Sequence, residues 1–135
     1  MEIPERNGAA ELPASLQWLC GVKGISVPDG IRNTGGISQF TATLKQFYDT
    51  AEDSMETLTK ALDTGNLRLY TIKLQVLGTS AHLIGASALS ALASRLREAG
   101  ERQDTDFIAA NTGQLLRDCQ TLRDALSRIK EEGKA

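Results

Sequence analysis

Between residues 37 and 62 the apolar side chains keep one spacing. Phe40, Leu44, Phe47, Ala51, Met55, Leu58 and Leu62 follow at intervals of 4, 3, 4, 4, 3 and 4. At about 3.6 residues per turn, that spacing winds a single apolar row along a helix. A strand is ruled out, because its faces alternate at every residue. A second row, Ile108, Thr112, Leu115, Cys119, Leu122, Leu126 and Ile129, repeats at 4, 3, 4, 3, 4 and 3. This is an a/d row of the kind that seats one helix against another. A helix with one apolar stripe must bury it, so two such rows commit the chain to an all-α fold.

The punctuation divides the chain further. Residues 1–11 are polar and read as mobile. A short apolar piece follows, with Leu16, Trp18 and Leu19. Pro28 suits the first turn of a short helix 28–33, which Gly35 and Gly36 close. The row from Phe40 to Leu62 fits one long helix or two consecutive ones, and Asp49 with Glu52 has the form of a capping box, which favours a break near residue 49. Asp63-Thr64-Gly65-Asn66 is a stop, with Gly65 as left-handed cap and Asn66 as N-cap of the next helix, 67–83. On that helix Leu69, Ile72 or Lys73, Val76, Leu77, Ser80 and Leu83-Ile84 mark the inner side. Gly85 interrupts it, a helix with Leu89, Leu92, Ala93 and Leu96 ends near Gly100, and Asp104 caps the last helix, beyond which the tail frays. Four long helices with short links imply an antiparallel up-down four-helix bundle over residues 24–132. Residues 1–23 form a flexible or short helical extension. The last a/d row also suits a coiled-coil dimer, but a bundle helix explains it more simply.

Composition removes whole classes of function. The 135 residues make one domain, with a net charge of −2 and only 4% aromatics. That is no footprint for nucleic acid, which needs basic charge and stacking rings. Cys20 and Cys119 make no CxxC pair, and the single histidine, His82, excludes a multi-histidine metal site. No glycine-rich phosphate loop occurs, so no cofactor is expected. No apolar run reaches the ~20 residues of a membrane helix, and the acidic start lacks a secretory signal's charge. A cytoplasmic setting without membrane contact is expected.

The stretch LYTIKLQVLGTSAHLIGASALSALASRLREAG, residues 69–100, resembles a histidine phosphotransfer (Hpt) domain. That family's motif runs histidine, any residue, leucine, lysine, then small residues, and closes on an aliphatic residue, glycine and alanine. Anchoring on Ile84-Gly85-Ala86 puts Leu77 on the motif leucine and Thr79 and Ser80 on the small positions. Leu89, Leu92, Ala93 and Leu96 fall on the family's following helix. Upstream, FYDTAEDSMETLTKALDTGNLRLY is similar to its acidic helix and opening turn, and VPDGIRNTGG to its preliminary short helix. The resemblance spans about residues 24–130. It implies a place in a two-component phosphorelay and a response-regulator receiver domain as partner, with the chain free-standing or part of a larger hybrid sensor kinase.

The same anchoring puts Gln75 on the phosphoaccepting histidine and Gly78 on the motif lysine. An imidazole nitrogen can attack an aspartyl phosphate, whereas a carboxamide nitrogen has a delocalised lone pair and cannot. Glycine supplies no cation for the phosphoryl oxygens. The resemblance therefore implies a degenerate, non-enzymatic module that docks receivers through Arg68, Lys73, Gln75, Gly78, Thr79 and His82. Two alternatives stand beside it. His82 lies seven residues after Gln75, within about 20° of the same face and roughly 10.5 Å along the axis, and is a relocated phosphoacceptor in the first. In the second the domain is a purely structural segment, and Gln75 and Gly78 are ordinary helix residues.

Overall fold

The computed structural model describes residues 12–131. The expectations for residues 1–11 and for the last four residues lie outside them. Among the described residues the structure is helical, with no strand. A 3₁₀ segment, Ala14–Gly21, comes first. Then follow α1 (Val27–Thr34), α2 (Ile37–Asp63), α3 (Leu67–Leu83), α4 (Ser87–Glu101), α5 (Thr105–Ala125) and a closing 3₁₀ turn, Ser127–Glu131. Helix α3 packs on α4 and α2, and α5 packs on α4 and α2. Helix α1 packs on α2 and α3, and the last 3₁₀ turn rests on α2. One apolar core joins all of these and includes Leu12, Leu16 and Leu19 of the N-terminal segment.

The three turns between the long helices repeat one device. A residue in the left-handed region follows each helix: Gly65 at φ 73°, Gly85 at φ 82° and Gln103 at φ 59°. The next N–H then reaches back five residues, from Asn66 to Ala61 O, Ala86 to Ala81 O and Asp104 to Ala99 O, at 2.7 to 2.8 Å. This closes the carbonyls left open at each helix end. Asn66 and Asp104 then cap α3 and α5 by accepting from Leu69 N and Phe107 N. Gly85 has a second reason to be glycine. A Cβ there would lie 2.3 Å from Ser26 O, where the segment before α1 crosses the α3–α4 turn and Ser26 N donates to Gly85 O at 2.9 Å.

Several expectations are corrected. Helix α2 runs unbroken through Asp49, because its buried row continues as Phe47, Ala51, Ser54, Leu58 and Ala61. Met55 and Leu62 flank that row and are only partly buried. Helix α5 stops at Ala125, and Leu126 and Ile129 are buried through the 3₁₀ turn instead. Helix α4 ends at Glu101, beside Gly100 as expected, and a Cβ on Gly100 would stand 2.4 Å from Thr71 Cγ2, so the glycine lets α4 approach α3. The largest correction concerns α3. Its buried side is Tyr70, Leu74, Leu77 and Ala81, while Leu69, Ile72 and Val76 face solvent. The row of α5 is buried within the chain and is not available for a coiled-coil dimer.

Candidate functional site

Burying Tyr70, Leu74, Leu77 and Ala81 turns the opposite side of α3 outward. Arg68, Gln75, Thr79 and His82 are all exposed there. At about 100° per residue they fall within about 60° of one another around the axis. Lys73 does not join them: it is half-buried and lies about 160° round the helix from Gln75. Gly78 stands at the α4 edge of this face and is half-buried.

A shallow, open groove of about 340 Å³ runs along that edge. Leu74, Gln75, Gly78, Thr79 and His82 line it from α3, and Ser90, Ser94 and Arg97 from α4. Gly78 sets its depth. A Cβ there would meet Ala93 Cβ at 3.4 Å and Ser90 O at 3.8 Å, and Ser90 Oγ donates to Gly78 O at 3.0 Å. The close neighbour of this glycine is therefore α4. These are ordinary van der Waals distances, so an alanine fits here and the helix-interior glycine costs roughly 1 kcal/mol relative to it. On the other flank Ile72, Gln75, Val76, Thr79 and Ser80 enclose a second shallow depression.

The polar groups of this face have few internal partners. Arg68 and Lys73 form no ion pair among the described residues. Arg97 Nη1 donates to Glu101 Oε2 at 3.0 Å. The His82 carbonyl accepts from Asn33 Nδ2 at 2.9 Å, which ties the end of α3 to α1 while the imidazole stays exposed. Groups with displaced titration lie elsewhere, in the core. Burial raises the Tyr70 hydroxyl, although its bond to Thr112 lowers it. Burial pushes the Cys119 thiol up to about 11, against a smaller lowering by Arg123. Among the described residues no cluster of three or more His, Cys, Asp or Glu could hold a metal ion, and no helix is long and apolar enough to cross a membrane.

Sequence reasoning missed Leu69, Ile72 and Val76 as surface residues, and Ser90, Ser94 and Arg97 as the far wall of the groove. The signal for the first three was present. Tyr70, Leu74, Leu77, Ala81 and Ile84 form a row at 4, 3, 4 and 3 as regular as that of α5. Leu69, Ile72 and Val76 were then surplus to it. The α4 wall left no such trace, because serines and an arginine at these spacings describe any solvated helix.

No family profile matches the chain, and no curated protein or solved structure matches it. The likeness to Hpt domains rests on the residues quoted above.

Proposed function

We propose that this chain is an Hpt-like docking module of a two-component phosphorelay. It binds receiver domains through the outer face of α3 and accepts no phosphate at position 75. In this reading α2 to α5 form an antiparallel up-down four-helix bundle, residues 1–23 extend it, and the protein works in the cytoplasm, alone or within a hybrid sensor kinase. The supporting observation is the placement of Gln75. It is exposed in mid-helix at the motif position, beside the groove above Gly78, where a phosphoacceptor would meet its partner. A carboxamide there can hydrogen-bond to a partner, but it cannot carry a phosphoryl group.

A second reading has one observation in its favour: the His82 imidazole is exposed and lines the same groove as Gln75. One experiment separates the two. A panel of phosphorylated receivers from the same organism is incubated with the wild type, Gln75→His and Gln75→His/Gly78→Lys, and intact mass is read at neutral pH. The docking reading expects an unmodified wild type and phosphate on the restored variants. Phosphate on the wild type that His82→Gln abolishes makes His82 the acceptor and overturns it.

A further inference from the structure

From Thr64 to Arg97 the sequence contains no aspartate or glutamate. Those residues make up α3, most of α4 and the turn between them. They carry four cations, Arg68, Lys73, Arg95 and Arg97, in a chain whose net charge is −2. Arg95 lies over the Phe107 ring at 5.8 Å, and Arg97 pairs with Glu101 just beyond the acid-free stretch. Arg68 and Lys73 have no ion-pair partner among the described residues. The exposed large apolar side chains among the described residues also gather here: Leu69 at 39%, Ile72 at 50% and Val76 at 51% exposure. They succeed one another at intervals of 3 and 4, so they form one row along the helix.

An apolar row with Arg68 on one side and Lys73 on the other, across the outer face of α3 from the polar groove, selects its occupant by charge. A second copy of this chain docked by the same face would meet Arg68 and Lys73 with another α3, which carries no carboxylate. We infer that the face binds an acidic, amphipathic protein segment, whose apolar side chains seat on Leu69, Ile72 and Val76 while a carboxylate enters the groove over Gly78 toward Arg97. The guanidinium has five N–H donors, so the Glu101 contact leaves capacity for a second carboxylate. The inference deepens the docking reading and shares its face, but specifies the chemistry of the partner and not its family.

The test is an amide-shift titration of the full chain with a helical peptide of about 18 residues, about five turns, built from leucine and glutamate in an a/d pattern. Its twin carries lysine for glutamate. The glutamate peptide is expected to shift amides of α3 and the groove side of α4 and to bind about tenfold more tightly than the twin. Its affinity is expected to weaken with added salt. Neutralising Arg68→Gln, Lys73→Gln and Arg97→Gln together is expected to erase that preference, at an unchanged melting temperature. Equal binding of the two peptides, shifts confined to other helices, or no binding of either overturns the inference. Receivers distinguish its failure from that of the docking reading. A receiver that binds wild type and neutralised variant equally through α3 keeps the docking reading and sinks the acidic-partner inference. A glutamate peptide that binds where every receiver fails does the reverse.

Discussion

Helices α3 and α5 pack into the same core and differ in what they show to solvent. The outer face of α5 carries several internal polar pairs. Gln114 bonds to Asp118 and Arg117, Gln120 bonds to Asp124, and Arg123 lies over the Tyr48 ring at 4.3 Å and near Glu52. The outer face of α3 presents Leu69, Ile72 and Val76 beside Gln75, Thr79 and His82, with no side-chain to side-chain bond of that kind. Exposed pairs of the α5 type contribute little stability each, but they leave few donors or apolar atoms for a partner. A face that internal contacts leave unfilled is where a binding function is to be sought. The comparison thus separates a helix whose sequence is explained by folding from one whose sequence is explained only in part.

The contrast is sharpest in the core row of α5. Leu115→Ala removes a side chain with no exposed surface and is expected to cost about 2–5 kcal/mol in urea unfolding, through lost burial and the cavity left behind. A cost below about 1 kcal/mol would mean that the α5 row is not the packed seam described here.

The same row makes a prediction about alkaline pH. Cys119 titrates near 9.0 when unfolded and near 11 when buried, so its folded pKa is raised. Its contribution is therefore fully present below pH 9 and is lost as pH rises through about 11. The loss amounts to about 2–3 kcal/mol over that window. Tyr70, also raised by burial, adds in the same direction above its ordinary value of 10.0. Cys119→Ala is expected to be less stable at pH 7 and to lose less between pH 9 and 11. Parallel stability curves for the two proteins would show that the thiol is not held neutral by burial.

The smallest expected effect falls on α3. Ile72→Ser/Val76→Ser alters side chains about half exposed and is expected to move folding stability by no more than about 0.5 kcal/mol per site. Binding to a receiver should fall about tenfold or more with the loss of this apolar area. Destabilisation comparable to Leu115→Ala would show that the row supports the fold and would dissolve the difference between the two helices.

How much of this was legible in the sequence follows the same division. The α5 row, the α2 row as far as Ala51, the Gly65 and Gly85 turns and the Asn66 and Asp104 caps could be read directly, because each is a local rule with one physical solution. Helix α3 was misread because it carries two apolar rows, and periodicity alone cannot say which one the other helices cover. The capping box at Asp49 was a valid local signal, but the continuous buried row through Ala51 and Ser54 keeps α2 helical there. The left-handed Gln103 could not be anticipated, since glycine is the usual residue at such a cap. For the site, the face of Arg68, Gln75, Thr79 and His82 was named from the sequence, while Lys73 lies apart from it, on the far side of the row of Leu69, Ile72 and Val76. The groove itself exists only once α4 is packed against Gly78, and no spacing within one helix describes it.

The central claim is that α3 is the docking face and that docking needs no phosphoacceptor at position 75. Its most direct test is to titrate the isotope-labelled full chain with unphosphorylated receiver domains from the same organism and to follow every backbone amide. The account predicts saturable shifts concentrated between Arg68 and His82 and between Ser90 and Arg97, with the outer face of α5 silent. Shifts centred on α5, or no binding by any receiver, would contradict it.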